Sequence, residues 1–337
     1  CALQCPIIKL QIRGTNRRKY GYDNPLANPL VQDKIFQTKL KNGQLWQSKG
    51  EKELLEFCKD LSLSVRPTGS TYQEKRFQID IYSPEHEICI EYNGMFWHSD
   101  SNPKQYPNKH LDKTRSCESK GRRLIHIWES EWLQKRTLVE SYVRSVFGIF
   151  EERTYARKCE VRPIIDKAVA KQFLDDNHLQ GSCTFNSAVG LYQGGRLLGL
   201  AVIGRHHRTN VLNVAKRFAF LKGVQIVGGI SRLTSALLKL CPSDSMITWA
   251  DWRLGAKNVY GQSGWKLEDT SRPDYFYWDE NKKKVVSKQA FKNHRKSQTG
   301  LSEQQFAKTQ NCIRIWDCGK HRFRIFKKTP AHLNPPN

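Results

Sequence analysis

No apolar run in the chain approaches the roughly 18 residues that a bilayer-spanning helix needs, so no membrane span is expected. The first residues, CALQCPIIKL, lack the charged-then-apolar layout of a secretory leader. Acidic residues are few beside basic ones, 32 Asp and Glu against 56 Lys and Arg. The resulting net charge of +24, with a pI near 9.7, exceeds what solubility requires and implies a polyanionic partner, nucleic acid first. A second cysteine pair near Cys1 and Cys5 is also missing. Their C-x3-C spacing therefore supplies at most half a zinc site, the rest of which would have to lie upstream. The other cysteines do not read as a disulfide framework. Cys58, Cys89, Cys117 and Cys241 sit in apolar stretches and suit the core of a protein from a reducing compartment, the cytoplasm.

What is present suits two domains and an arm. The 337 residues exceed one small domain, and a hydrophobic content of 38% supports real cores. Residues 1–47 are basic and broken by two Asn-Pro steps, a pattern for an arm that lies along phosphates through Arg17, Arg18 and Lys19. From Ser48 the pattern changes. SKGEKELLEFCKDL predicts a helix with a serine N-cap, and FQIDIYS and EICIEYN predict strands. Residues 109–120 predict a helix stopped by Gly121, RRLIHIWESEW a strand, and 133–150 a closing helix. This α-β-β-α-β-α order describes an α/β domain over 48–150.

Within it, residues 89–100, CIEYNGMFWHSD, crowd chemistry into a short stretch. Alternation puts Asp80 opposite Ile79 and Ile81, free to face solvent or a metal ion, and Glu91 takes a comparable place on the next strand. Two strand carboxylates converging at one end make a hard oxygen site suited to Mg²⁺. His98, a turn later, is placed to take a proton from a metal-associated water. The plainer reading is a pair of strand acids beside a packing histidine.

Asp80, then IEYNGMFWHS, then KHLDKT-x2-C-x3-G-x2-LIHIWE resemble the very short patch repair endonuclease fold. More closely, they resemble the phage-type homing endonucleases that share it and carry an E-D-x-H-D signature. The resemblance covers residues 48–150. It implies a restriction-endonuclease-like fold, a bacterial or phage-encoded protein, and Mg²⁺-dependent hydrolysis of double-stranded DNA at a long specific site. It further implies Mg²⁺ on Asp80 and the Tyr92 carbonyl, with His98 activating water. The signature's helix acid falls on Glu53, with Glu51 as the alternative, and its last polar member on His110 or Asp112. Asn93 stands where the repair enzyme has histidine. Phe96 and Trp97 match aromatics that wedge into the base stack. A mismatch nickase, a silent DNA-binding protein and an acyltransferase are the rival readings.

Residues 153–296 resemble an acetyltransferase-like α+β domain. NVYGQSGW is similar to that superfamily's Y-x-x-x-G-[FW] helix end, and QIVGGISRL stands where its pyrophosphate loop would be. Glycines before a helix N-terminus can hold pyrophosphate on backbone N–H groups. Ile230 departs from the loop pattern, however, and the expectation is a DNA-binding or scaffolding role rather than acyl transfer. Arg205 and Arg208 in RHHR, Lys282–Lys284 and HRK at 294–296 are expected to contact phosphate. Residues 297–337 read as a basic C-terminal tail containing the aromatic strands IRIWD and HRFRIF.

Overall fold

The computed structural model describes residues 5–25, 28, 30–31, 34–35, 38, 42, 47–67, 79–255, 257–292 and 300–327. Cys1, the HRK of 294–296 and the end of the chain lie outside them. The chain divides into two units, one of residues 1–92 and 115–124, the other of residues 93–114 and 125–337.

In the first unit, helix α1 (Pro6–Tyr20) starts on a proline, whose missing N–H has no partner to lose there. It ends where Gly21 turns left-handed, φ 76°. It buries no side chain and gathers Arg17, Arg18 and Lys19 in its last turn, at the negative end of the helix dipole. Helix α2 (Lys49–Asp60) has the predicted cap, the Ser48 hydroxyl accepting the Glu51 N–H at 3.2 Å. It buries Leu54, Leu55, Phe57 and Cys58 at helical spacing. A Cβ on Gly50 would collide with the Tyr92 ring, so α2 approaches that ring as only glycine permits.

Strands β1 (Arg66–Pro67), β2 (Ile81–Ser83), β3 (Ile88–Asn93) and β4 (Arg123–Trp128) form a sheet in that order. β2 and β3 run antiparallel with Ile81 opposite Ile90. Helix α3 (Lys109–Glu118) lies between β3 and β4 in the chain. Ile79, Tyr82, Cys89, Cys117 and Leu124 form the core of the first unit.

In the second unit, ESEW is not a continuation of β4 but the start of helix α4 (Glu129–Gln134), followed by α5 (Arg136–Val146). The reason is tertiary. Glu131, whose Oε2 accepts the Trp128 N–H at 3.4 Å, is gripped by both terminal nitrogens of buried Arg253 at 2.7 and 2.9 Å.

Beyond β5 (Glu152–Tyr155) and β6 (Glu160–Pro163) come α6 (Lys167–Asn177), β7 (Ser187–Gln193), β8 (Arg196–Arg205), β9 (Leu212–Phe220) and β10 (Val224–Val227). Then follow α7 (Gly229–Leu240), β11 (Ser245–Asp251), α8 (Lys257–Gln262) and β12 (Lys266–Thr270). The remaining elements are β13 (Tyr275–Asp279), β14 (Lys284–Val286), α9 (Gln289–Lys292), α10 (Glu303–Thr309), β15 (Cys312–Trp316) and β16 (Lys320–Phe326). A seven-stranded sheet takes the order β12-β16-β11-β9-β8-β7-β6. Thus β16, drawn from the stretch 297–337, lies between β12 and β11. β13, β14 and β15 make a separate three-stranded sheet.

The large sheet is covered on both faces. Leu233 and Leu237 of α7 pack with Leu191, Ala201, Ile203, Ala215, Met246 and Phe323. On the other side Ala170, Phe173 and Leu174 of α6 pack with Ala188, Leu200, Val202 and Ala219. The alternation of inward residues along β8 and β9 feeds both layers. Among the described residues no helix is long and apolar enough to cross a membrane.

Candidate active site

The sheet is mostly antiparallel, but β9 and β11 run parallel and pair at one position, Ile247 opposite Val214. The cause is local. Against β8, Val202 faces Arg217 while Ile203 faces Ala215, so Lys216 is an extra residue in β9. Such a bulge bends and twists its strand. From Ala215 to Phe220, β9 therefore runs on with no β11 residue paired opposite it.

At the vertex of this wedge the Thr248 hydroxyl donates to the Ala215 carbonyl at 2.8 Å. The Tyr260 hydroxyl is also hydrogen-bonded to Thr248. A carbonyl only accepts, so the single threonine proton is committed to Ala215 and Tyr260 must be the donor to Thr248. Burial pushes the Tyr260 phenol up, so it keeps its proton at neutral pH. Its ring stacks on Phe323 at 5.1 Å and meets Phe218 and Trp265 edge-on.

The C-terminal ends of β9 and β11 carry polar groups. Arg217 donates through Nε to the Gly181 carbonyl at 3.3 Å and through Nη1 to the Lys216 carbonyl at 2.8 Å. Gln180 reaches Asp251 at 3.5 Å. His178, which ends α6, accepts the Gln180 N–H on Nδ1 at 3.1 Å. Burial, with Arg217 nearby, pushes His178 down to about 3, so the ring is neutral. Arg253 donates to the same Asp251 oxygen as Gln180, Nε to Oδ2 at 3.0 Å.

The glycines before α7 have two separate reasons. Gly228 is the N-cap at φ 78°, a conformation that side chains disfavour, and it offers no side-chain cap to the first N–H groups. Gly229 is small because a Cβ there would meet the Phe220 ring at 2.6 Å. Ile230 beside it is half-buried.

The residues expected from sequence to form a nuclease site fall in several places. Asp80 accepts the Tyr92 N–H on Oδ2 at 2.8 Å. Glu91 is buried, and its charge helps to push Glu51 up, after burial of Glu51 itself. Glu51 accepts from Gln47 at 3.1 Å, and Glu53 lies 3.9 Å from Lys49. Asn93 bonds the His126 ring at 3.2 Å. His98 and His110 share a hydrogen bond, Nδ1 to Nε2, at 3.3 Å, and burial lowers both, His110 to about 3. Asp112 accepts from the Tyr106 hydroxyl at 3.2 Å. Phe96 and Trp97 are half exposed, edge to face at 5.5 Å. Arg17 pairs with Asp23 at 2.8 Å, while Arg205 and Arg208 are exposed. Cys5 is a free thiol.

Among the described residues no group of three or more His, Cys, Asp or Glu side chains is arranged to hold a metal ion. No protein family's profile matches the chain, and no curated protein matches it. Solved structures similar to it include acetyltransferases. A GNAT-family acetyltransferase from Bacillus cereus covers 51% of this chain and 99% of its own, at 10% identity and a TM-score of 0.31. An IAA acetyltransferase from the same species covers 50% and 99%, at 13% identity and a TM-score of 0.30. A Bacillus subtilis acetyltransferase in complex with CoA covers 51% and 100%, at 10% identity and a TM-score of 0.28.

The chain is thus a mixed α/β protein built on a seven-stranded sheet with helices on both faces. The expectation of a homing endonuclease of the very short patch repair type, with Mg²⁺ as its cofactor, is corrected by these findings. The wedge arises from a bulge and a strand crossover that no local motif encodes.

Proposed function

We propose that residues 152–326 transfer an acyl group from a coenzyme A-type thioester to an acceptor nucleophile. The observation that carries this reading is the parting of β9 from β11 at the Lys216 bulge. An open strand edge accepts an extended, amide-bearing chain as an added strand, and the pantetheine arm is such a chain. The Gly228-capped start of α7 offers unfilled backbone N–H groups of the kind that hold phosphates. When bound, the thioester supplies an activated acyl carbon. Tyr260 keeps its proton through burial and can release it to a departing thiolate, while Thr248 orients the phenol. Arg217, Gln180 and Asp251 line the end of the wedge, where an acceptor enters.

The test is calorimetric titration of the full chain with CoA, followed by acetyl-CoA turnover read as free thiol. Micromolar binding is expected, and Tyr260→Phe should retain it while slowing transfer by about 10²-fold or more. No binding by a folded chain would end the reading.

We infer double-stranded DNA as the macromolecular partner, on the support of the +24 charge, with Arg17, Arg18 and Lys19 of the arm (residues 1–47) among its contacts. The described cysteines are all free thiols, which supports a reducing, cytoplasmic setting.

A further inference from the structure

The β8–β9 connection is built more firmly than an ordinary loop. The His206 N–H donates to the Val211 carbonyl at 2.8 Å, and the Asn210 N–H returns to the His206 carbonyl at 2.9 Å. Inside the turn, His206 Nδ1 accepts from the Arg208 and Thr209 N–H groups, both at 3.2 Å. That fixes the neutral tautomer with its proton on Nε2. The His206 ring stacks on His207 at 4.8 Å and leans on Trp249 of β11 at 5.7 Å. Arg205 clamps the far side, Nη1 to the Asn210 carbonyl at 2.9 Å, and Asn210 itself holds a left-handed turn, φ 55°.

The loop nevertheless presents nearly everything else to solvent. His207, Arg208, Thr209, Asn210 and Val211 are exposed, and Arg205 keeps further N–H donors beyond the one it uses. The surrounding sequence contains no counter-charge. From Asn177 to Ser243 there is no Asp or Glu, while Arg205, Arg208, Lys216 and Arg217 fall in this hairpin; Arg196, at its far end, pairs with Glu152 at 2.7 Å. A solvated surface mixes signs. An exposed loop rigidified on one histidine and carrying only cations is preorganised for an anion larger than a single ion.

We infer that the β8–β9 loop, residues 205–211, is a preformed contact for the phosphate backbone of double-stranded DNA. Arg205 and Arg208 carry the charge, and His206 is the positioning residue. β8 and β9 are central strands of the sheet, so it is the projecting tip, residues 205–211, that can lie along a phosphate backbone. Holding the loop before binding removes part of the ordering cost that a flexible basic segment would meet. The inference rests on DNA being the partner but is independent of acyl transfer.

The experiment is fluorescence anisotropy of the full chain with a labelled 30-base-pair duplex, titrated from about 50 to 200 mM NaCl. Each neutralised phosphate contributes about −0.9 to the slope of log affinity against log salt. Arg205→Gln with Arg208→Gln should therefore flatten the slope by about 1.8, so that the fourfold salt rise weakens the variant about 12-fold less than the native chain. His206→Ala, which keeps both charges, should lower affinity severalfold with the slope nearly unchanged. Lys239→Gln, an exposed cation on α7, should alter neither by more than its single charge allows. Circular dichroism confirms that each variant is folded.

A double variant with native affinity and slope would overturn the assignment while leaving DNA as a partner. Absence of duplex binding by the native chain would remove the partner itself. Equal displacement by polyglutamate at matched charge would mean an acidic polypeptide site, not a nucleic-acid one.

Discussion

Replacing Thr248 by Val tests the vertex of the wedge, because the two side chains have nearly the same shape and differ by the hydroxyl. In the native protein that hydroxyl donates to the Ala215 carbonyl at 2.8 Å and receives the proton of Tyr260, whose ring is locked against Phe323, Phe218 and Trp265. Valine leaves both partners without their hydrogen bond. An unsatisfied buried polar group costs about 1–3 kcal/mol, so two give about 2–6 kcal/mol. Ala215 is buried and its strand can relax slightly at the vertex, which places the expected loss toward the low end, about 2–3 kcal/mol. For a domain of this size each kcal/mol lowers Tm by about 2–4 °C, so a fall of about 4–12 °C is expected by calorimetry. Thr248→Ser is the control. It keeps the hydroxyl, loses one methyl group, and should cost about 1 kcal/mol. If Thr248→Val melts with the native protein while Thr248→Ser drops by several degrees, the methyl group holds the vertex and the hydrogen-bond argument is wrong.

Two further outcomes are expected. Arg253 is 3% exposed and holds Glu131, Asp251 and the His126 carbonyl, so Arg253→Met should cost about 3–5 kcal/mol by stranding buried carboxylates. Adding Glu131→Gln should recover part of the loss in urea melts, and no recovery would mean that packing matters more than charge. The buried histidines set an acid limit. Burial holds His110 and His178 down to about 3, and His98 and His126 well below their ordinary value. Below about pH 6.5 the unfolded chain takes up protons that the folded chain refuses, so stability is lost as pH falls from about 6.5 toward 3. Each fully buried ring contributes about 1.4 kcal/mol per pH unit within that window. Asp317, pushed up to about 6 by burial and by Asp251, opposes this by one proton. Unfolding at pH 6.5, 5.5 and 4.5 should show the fall, and His110→Asn should make it shallower; flat stability would refute the neutral-histidine account.

Local signals in the sequence were sufficient for most individual elements. Ser48 before an amphipathic stretch, alternation along β8 and β9, and Gly228-Gly229 ahead of α7 each act within a few residues, where capping, side-chain period and glycine's backbone freedom operate. The cation excess is likewise a property of the chain alone, and the proposal of a polyanionic partner rests on it. Distant contacts decided the rest. ESEW has apolar and charged residues compatible with a strand, and it became α4 where Arg253, more than a hundred residues away, grips Glu131. The hydrogen bond between His98 and His110, and the one from Asn93 to the ring of His126 thirty-three residues on, are contacts that no local pattern specifies. Phe96 and Trp97 could have been core or surface, and only the packing around Met95 left them exposed. The wedge was the least legible feature. It requires a bulge at Lys216, a crossover that sets β11 beside β9, and a Tyr260 proton turned toward Thr248. Each depends on pairings between segments that a local pattern does not bring together.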